Sequence, residues 1–297
     1  MRNEISDDNL EDLEEYTGEV YAIRALCYSE LLKNYCKAYD PATAQSELGV
    51  VIRTKYSTPE PIRRASLYDS YKFVLDDLAE AEKRLDKEED AYSNEYITSA
   101  AAQALHARVA LYMQDWDTAI EYASILIDDK KNTFKLADAK TKYNADYTFF
   151  DYMWAYDLSY EIIWRIGFTE TSYGSPLGTV FLNFTKDLTY YYPDYVPATA
   201  ALNLYDAADL RYSGYFAGKE QGLTIGYTNG LDWPMLVKYY GNRNFTSKLI
   251  FHVSMPKPFR LAEQYLIRAE AYCRKNDFTK AGNDLTALRK MRYASGG

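Results

Sequence analysis

The sequence is poor in the residues that most often carry chemistry. Its 297 residues include three cysteines and two histidines, and no Cys-x-x-Cys pair occurs. An odd number of cysteines without such a pair gives neither a disulfide framework nor a zinc site of the usual spacing. Cys27 and Cys273 fall on apolar helical faces, so we expect both to be small buried residues.

Long apolar runs and excess positive charge are also missing. No run of 18 apolar residues occurs, so we expect no membrane-spanning helix. The net charge of −9 disfavours a nucleic-acid partner, which needs a basic patch. The H-E-x-x-H, G-x-S-x-G, G-x-G-x-x-G and GK[ST] motifs are absent. The sequence therefore offers no catalytic motif of these kinds, and we expect no metal and no cofactor. The N-terminal "MRNEISDDNL" lacks the apolar stretch of a signal peptide.

The residue in excess is tyrosine, of which the sequence has 31. A tyrosine joins a flat apolar ring to a polar hydroxyl, which suits surfaces that are both apolar and wet. Much of the tyrosine follows residue 140, in sequence rich in turn-forming residues. This uneven distribution is the first indication of a binding function.

Helical periodicity dominates both ends of the chain. Residues 12–35 predict a helix with apolar positions that include Val20, Ile23 and Leu31. Residues 36–64 predict a long loop, after which Ser66 caps a second helix. Thr98 or Ser99 is predicted to cap a third helix that ends near residue 113, and a fourth runs from Asp115 to about residue 128. The short turn between these two predicts an antiparallel hairpin.

A second hairpin repeats the first after 162 residues. Ala269 aligns with Ala107, Phe278 with Trp116, and Ala281 with Ala119. The pattern resembles the tetratricopeptide repeat (TPR), in which small residues let two helices approach and an aromatic side chain fills the gap. Hairpins of this kind bury a core by stacking. We therefore predict a mostly α fold. Its parts are TPR-like hairpins at 1–130, an irregular aromatic-rich lobe at 131–259 and a hairpin at 260–297 that packs on the first, in one continuous domain.

The predicted lobe has a different composition from the hairpins. "FKLA" at 134 and "YEIIWRIGF" at 160 predict short strands, and the sequence around them is rich in Tyr, Gly, Pro and Asn. Trp164 in the second strand and Trp116 in the hairpin are predicted to be structural. Loops on a rigid scaffold are where binding residues concentrate, so we place the candidate site in this lobe.

Its aromatic clusters suit a carbohydrate ligand. A flat ring covers the C–H face of a sugar, and polar side chains bond to its hydroxyl groups. The predicted ligand-binding residues are Trp233, Tyr240 and Tyr192 for stacking, Asn242 and Arg243 for hydroxyl groups, and Tyr39 from the first long loop. The alternative for each aromatic is a place in the core of the lobe.

Two other functions remain open on sequence grounds. A glycosidase needs two carboxylates about 5–10 Å apart, and the lobe offers Asp151, Asp157, Glu161, Asp187, Asp206 and Asp209. A TPR-type scaffold would instead bind a protein or peptide along its helices, without a glycan. Such a scaffold would expose its aromatic side chains on the helices rather than in residues 140–245.

Six stretches, in order, resemble the SusD/RagB family of glycan-binding outer-membrane lipoproteins of Bacteroidetes. They are "GEVYAIRALCYSELLKNY" with Arg24, Ala25, Tyr28, Leu31 and Tyr35; "YDSYKFVLDDLAEAEKRL"; "ITSAAAQALHARVALYMQDWDTAIEYASILI" followed by "FKL"; "EIIWRI"; "LYDAADLRYSGYF" with Asp209 and Arg211; and "KYY" followed by "RLAEQYLIRAEAY". The leader, the lipobox cysteine and a late acidic-aromatic stretch of the family are absent. The chain therefore looks like a fragment or a short member.

The resemblance implies a function without catalysis. Members of this family bind polysaccharide or oligosaccharide at the cell surface and pass it to a SusC-like TonB-dependent transporter. It further implies an outer-membrane location through a lipid anchor that this chain does not include. The TPR-like helices would face the transporter, and the lobe would hold the sugar.

Overall fold

The computed structural model describes residues 9–55, 62–85, 90–184, 190–226 and 231–295. The protein is mostly helical with a few short strands, as predicted. It divides into two compact units. The first comprises Met1–Phe134 and Phe259–Leu285, and the second comprises Lys135–Pro258 and Thr286–Gly297. The predicted arrangement as one continuous domain remains a prediction.

The helices are long in the first and last parts of the chain and short in between, and the described strands have two or three residues each. The helices are α1 (Leu10–Tyr35), α2 (Leu67–Glu82), α3 (Ser99–Tyr112), α4 (Trp116–Ile127), α5 (Phe149–Tyr156), α6 (Thr179–Leu182), α7 (Thr199–Leu202), α8 (Arg211–Tyr215), α9 (Arg243–Thr246), α10 (Leu261–Arg274) and α11 (Phe278–Lys290). The strands are β1 (Ile162–Trp164), β2 (Phe216–Ala217), β3 (Met235–Leu236) and β4 (Phe259–Arg260), and 3₁₀ turns span Lys219–Gln221 and Val237–Tyr239.

An ion pair ties α1 to α2 in the first unit. Two nitrogens of Arg24 donate to the carboxylate of Asp77 at 2.7 and 2.6 Å, a bidentate geometry that fixes both side chains. The second helix begins as predicted, because the Ser66 hydroxyl accepts from the Asp69 backbone N–H at 3.0 Å. The ion pair between Arg24 and Asp77 therefore joins the first two sequence stretches that resemble the SusD/RagB family.

The N-terminus of α3 is capped differently from the prediction. Thr98 occupies the N-cap position without a side-chain cap bond. The carboxylate of Asp90 takes this role instead, accepting from the Ala100 N–H at 2.9 Å and from the Ser99 hydroxyl at 3.2 Å. A carboxylate near a helix N-terminus satisfies its unpaired N–H groups and favourably meets the helix dipole.

The two predicted hairpins share the same corner. Gln114 and Asn276 both take a left-handed conformation with φ 62°. The next residue in each, Asp115 or Asp277, donates its N–H to the carbonyl five residues earlier at 2.9 Å. Each aspartate then accepts from the N–H three residues later, at 3.2 and 3.1 Å. The 162-residue repeat is therefore a repeat of backbone structure.

The small residues of the repeat are buried, but its second aromatic is not. Ala107, Ala119 and Ala281 are almost fully buried, and Trp116 packs against the alanine-rich core between α3, α4 and α10. Phe278 is 67% exposed, so the prediction that it fills a gap is wrong. Phe278 is the first residue of α11, as Trp116 is of α4, so the helix position alone does not determine burial.

The prediction of two buried cysteines is also wrong. Cys27 and Cys273 are both exposed. On α1, Cys27 shares its face with apolar residues that are exposed as well, including Val20 and Ile23. Helical periodicity indicated an apolar face but not whether another element covers it.

Short elements and aromatic clusters build the second unit. One core gathers Phe150, Met153 and Ile162, and another gathers Leu182, Ile225 and Met235. Strands β2 and β3 pair antiparallel, with Phe216 opposite Leu236 and Ala217 opposite Met235. Trp164 lies buried in β1, as predicted.

The segment "FKLA" does not form the predicted strand. The Ala137 N–H donates to the carboxylate of Glu161 at 2.8 Å rather than to a neighbouring strand. Arg292 completes this buried cluster by bonding to the same carboxylate at 2.5 Å and to the Ala137 carbonyl. A side chain therefore takes the hydrogen bond that a strand partner would have taken.

Candidate functional site

A cavity of about 400 Å³ opens in the second unit. Its volume lies within the range of about 300–1,000 Å³ that is typical of small-molecule sites. Aromatic, charged and small residues line it together, namely Asp146, Tyr147, Asp151, Trp154, Ala155, Ser213, Gly214, Ala217, Gln221, Leu223, Val237, Tyr240, Gly241 and Arg243.

Helix α5 supplies one wall of the cavity. Its N-cap Thr148 accepts from the Asp151 N–H at 3.1 Å and donates its hydroxyl to the Asp151 carboxylate at 2.7 Å. This reciprocal cap holds the carboxylate at the cavity edge. Trp154 follows on the same side of the helix and is largely buried, with the Lys238 ammonium 4.3 Å from its ring centre.

Tyr240 also lines the cavity and makes three contacts of its own. The Arg243 guanidinium lies 4.3 Å from the centre of its ring, a cation–π contact. Its backbone carbonyl lies 3.2 Å from Nδ1 of the buried His252. Burial, and then a side-chain hydrogen bond with Tyr240, raises the pKa of the Tyr191 hydroxyl. The contacts with Arg243 and Tyr191 restrain the ring of Tyr240.

Two glycines let the backbone approach closely at the cavity wall. Gly241 has φ +113°, and a Cβ there would lie 2.8 Å from the backbone nitrogen of His252. A Cβ on Gly214 would lie 3.0 Å from the Asp151 carboxylate. Gly241 in particular fills a position that a side chain could not occupy without moving the backbone.

A group of stacked tyrosines extends from α5. Tyr152 stacks on Tyr156 with 4.5 Å between ring centres, and Tyr143 lies 4.0 Å from Tyr152. Tyr143 is 46% exposed. Tyr147, which lines the cavity, contacts Tyr156 edge-on at 5.6 Å. An aromatic surface therefore continues from the cavity toward solvent.

Two of the six predicted ligand-binding residues, Tyr240 and Arg243, line this cavity. Asn242, between them in sequence, is buried and does not. Its side-chain amide donates to the Tyr156 carbonyl at 3.0 Å and to the Asp157 carboxylate at 2.8 Å. Its side-chain oxygen accepts from the N–H of Asn244 and so caps α9. All of these bonds are internal.

The other three predicted residues lie elsewhere. Trp233 donates its ring N–H to the Pro197 carbonyl at 3.0 Å and packs against a buried core. Tyr192 is half-buried, and a Cβ on Gly226 would meet its hydroxyl at 2.9 Å. Tyr39 is buried in the first unit, edge-on to a neighbouring tyrosine ring. Trp233 therefore fits the alternative of a place in the core of the lobe, whereas Tyr39 lies outside the lobe.

Three of the six carboxylates considered for a glycosidase are structural. Asp157, Glu161 and Asp209 are buried and hydrogen-bonded. Burial alone would raise the pKa of Asp209, but hydrogen bonds from Arg211 and Tyr293 hold that pKa below its usual range. Asp206 is exposed, Asp151 lines the cavity, and Asp187 lies outside the described residues.

The sequence did not single out Tyr147, Trp154, Asp146 or Gln221 as site residues. Tyr147 and Trp154 belong to an aromatic-rich stretch that was recognisable as unusual, but its spacing does not separate cavity-lining rings from core rings. No sequence signal distinguishes Asp146 or Gln221 from other surface residues. Their roles depend on elements that are distant in the chain.

Neither a metal cluster nor a membrane span is found in the described ranges. No group of three or more His, Cys, Asp and Glu side chains there is arranged to hold a metal ion. No described helix combines the length and apolar character needed to cross a bilayer.

Similarity to known proteins lies in the fold. No protein-family model matches the chain, and no curated protein matches its sequence. A SusD superfamily protein from Bacteroides thetaiotaomicron superposes with a TM-score of 0.78 at 22% identity, covering 98% of this chain and 62% of that one. A SusD-like carbohydrate binding protein from Bacteroides vulgatus gives 0.72 at 19%, covering 99% and 58%. Surface glycan-binding protein A from Bacteroides uniformis gives 0.68 at 16%, covering 99% and 62%.

These superpositions establish a SusD-like fold over nearly the whole chain. They confirm the fold that the six ordered stretches implied. The chain spans about three fifths of the length of each of these structures.

Proposed function

We propose that this SusD-like chain binds polysaccharide or oligosaccharide at the cell surface, without catalysis, and delivers it to a TonB-dependent outer-membrane transporter. The cavity of the second unit carries the proposal. Tyr240 offers a restrained aromatic ring, Arg243 offers N–H donors and Asp151 offers an acceptor. A sugar needs this combination, because its C–H face packs on a ring while its hydroxyl groups need polar partners.

The structural neighbours support the same class of ligand. One is named a carbohydrate binding protein and another a surface glycan-binding protein. Because the chain spans three fifths of their length, their functions extend to it only as part of this proposal. An outer-membrane location is likewise part of this proposal.

The burial and internal hydrogen bonds of several acidic residues favour glycan binding without hydrolysis. Three of the carboxylates considered for a glycosidase, Asp157, Glu161 and Asp209, are buried and already accept hydrogen bonds from within the protein. Asp146 and Asp151 do line the cavity. Product analysis after incubation with glycans therefore belongs in the test, and release of shorter oligosaccharides would favour the enzymatic alternative.

Calorimetry and affinity gels with a panel of glycans test the binding site. Tyr240→Ala should weaken binding of any retained glycan at least tenfold, because stacking of a ring on an aromatic residue is lost. Tyr195→Ala is the matched control, since Tyr195 is 67% exposed and lies outside the cavity lining. Equal binding by wild type and Tyr240→Ala would move the site elsewhere, and no binding to any glycan would reject the proposed function.

A protein partner for the helical unit has its own support. Six residues at intervals of three and four form the α1 stripe, which comprises Tyr16, Val20, Ile23, Cys27, Leu31 and Tyr35. All six are exposed, and Tyr35 reaches 74%. Contiguous exposed apolar surface marks interaction sites. The stripe suits the transporter contact of the proposal and equally the alternative of a TPR-type scaffold without a glycan.

A further inference from the structure

A second cavity of about 330 Å³ adjoins the first in the same unit. The two share three lining residues, Ser213, Ala217 and Gln221. Both volumes fall in the range of small-molecule sites. The proposed function assigns no role to this second cavity.

Gln221 stands at the common edge with its amide orientation fixed. It ends the 3₁₀ turn Lys219–Gln221, and its Oε1 accepts from the Gly218 N–H at 2.9 Å. This bond assigns the oxygen to the inner side and leaves the two N–H donors of Nε2 facing out. Gln221 is exposed, so these donors are available to a ligand. Because Gln221 lies between the two cavities, its Nε2 can donate a hydrogen bond to an oxygen that lies between two sugar units.

The charged side chains that line the two cavities are mainly negative. Among the described residues, Asp146 and Asp151 line the larger cavity against one cation, Arg243. Glu220 and Asp232 line the smaller cavity, also against one cation, a lysine. The guanidinium of Arg243 lies 4.3 Å from the ring centre of Tyr240, and its single positive charge is outnumbered by the two carboxylates of the larger cavity. A carboxylate or sulfate on a ligand would meet like charges at both ends of the cleft.

We infer that the two cavities form one cleft for an oligosaccharide of at least two sugar units that carries no carboxylate or sulfate groups. Gln221 donates to an oxygen at or near the linkage between the units, and Tyr240 packs on one of the rings. The four carboxylates accept from hydroxyl groups and repel anionic glycans. This inference rests on the proposed function and specifies its substrate class.

A two-part glycan panel tests the charge selectivity. The uncharged part contains starch, xylan, galactomannan and mixed-linkage β-glucan, and the anionic part contains polygalacturonate, alginate and chondroitin sulfate. Retention in affinity gels should be confined to the uncharged part. Retention of an anionic glycan as strong as any uncharged one would overturn the inference and leave the proposed function standing. No retention by either part would count against the proposed function itself.

Ligand length tests the role of Gln221. Oligosaccharides of one to four units, cut from the retained glycan, should bind at least tenfold more tightly from two units onward in calorimetry. Gln221→Ala should weaken binding of the longer ligands at least fivefold and of the monosaccharide less than twofold. Gln45→Ala, at an exposed glutamine of the first unit, is the control. A monosaccharide that binds as tightly as the longer ligands would contradict the two-unit cleft.

Neutralising one carboxylate in each cavity tests whether charge, rather than the shape of the cavity, determines the selectivity for uncharged glycans. Asp146 and Glu220 are both exposed. The double variant Asp146→Asn/Glu220→Gln should gain at least threefold in affinity for the anionic glycans, with the larger gain at low ionic strength, where screening is weaker. An unchanged ratio of uncharged to anionic binding at every salt concentration would refute the electrostatic part of the inference.

Discussion

At the residue scale, a buried imidazole supports the cavity wall. His252 is 5% exposed, has φ 64°, and lies with Nδ1 3.2 Å from the Tyr240 carbonyl. A carbonyl accepts only, so Nδ1 carries the proton of the neutral ring. Burial lowers the pKa of His252, and the bond to Tyr240 opposes this shift without reversing it. The folded protein therefore favours the neutral form.

His252→Asn should remove part of the pH dependence of stability. The folded-state pKa lies below the unfolded value of about 6.5, so as the pH falls the unfolded chain takes up the proton first. Wild-type stability should decline from about pH 6.5 down through the lower folded pKa. Asparagine does not titrate and tolerates positive φ. Urea unfolding followed by circular dichroism at pH 7.5 and 5.5 measures the difference between wild type and variant.

The control for this measurement is the other histidine. His106 lies in the first unit, stacked on Tyr122 and 2.9 Å from Glu82. His106→Gln should leave the contribution of His252 in place. Identical loss of stability between the two pH values in wild type and His252→Asn would show that His252 plays no part in the pH dependence.

Asp157 organises the interior of the second unit. Its fully buried carboxylate accepts from Asn242 at 2.8 Å, from the Met255 N–H at 3.0 Å and from the buried ammonium of Lys257. Asp157→Asn should lower the free energy of unfolding by about 3 kcal/mol, because a buried ion pair loses one partner. Asp194→Ala, at an exposed position, should change it by less than about 0.5 kcal/mol. Chemical denaturation monitored by fluorescence measures both, and equal stabilities would contradict a structural role for Asp157.

Adjacent residues in the sequence can have opposite surroundings. The sequence offered Asn242 and Arg243 as equal candidates for sugar hydroxyl groups. Arg243 lines the cavity, whereas Asn242 is bonded to Asp157, 85 residues earlier in the chain. The candidate cavity lies within the lobe that composition indicated, but composition could not identify the lining residues, because their exposure depends on distant segments.

At the scale of elements, the helical hairpins were predictable because their signals are local. A small residue, a polar turn and an aspartate cap recur within one stretch of sequence and produce the same corner twice. The burial of each face was less predictable. Phe278 is exposed although Trp116 at the same repeat position is partly buried, because exposure depends on which helix packs next to it.

Neighbouring positions on α11 should respond oppositely to added volume. Ala281 is 2% exposed, and a larger side chain there would overfill a packed interface. Ala281→Leu should lower the free energy of unfolding by about 1–3 kcal/mol. A Cβ on Gly282 meets no atom within 4 Å, so Gly282→Ala should raise the same quantity by about 0.5–1 kcal/mol through higher helix propensity.

Urea denaturation of the two single variants and of wild type is the measurement. The pair is matched, because each change adds side-chain carbon to the same helix at adjacent positions. If both variants are destabilised to the same degree, α11 does not pack through its Ala281 face. If Ala281→Leu is neutral, the small-residue interface of the repeat has no stabilising role.

For the whole molecule, the two surfaces to which the proposed function assigns a role lie in different units. The α1 stripe belongs to the first unit, and the cavity with its tyrosines belongs to the second. The proposed function assigns a protein partner to the stripe and a sugar to the cavity. A TPR-type scaffold would use the stripe alone, and a simple sugar-binding module would use the cavity alone. The two surfaces can therefore be tested independently.

Changes to the two surfaces should separate the two activities. Val20→Glu/Ile23→Glu places charges on exposed positions of the α1 stripe, so it should abolish co-purification with the TonB-dependent transporter while glycan affinity stays within twofold. Tyr240→Ala should do the reverse. Co-expression with the transporter, solubilisation and identification of the captured protein by mass spectrometry measure the first activity, and calorimetry measures the second. If the stripe variant keeps the transporter, the contact lies on another face. If Tyr240→Ala loses transporter and glycan together, the two surfaces act as one site, and the assignment of separate roles to the units is wrong.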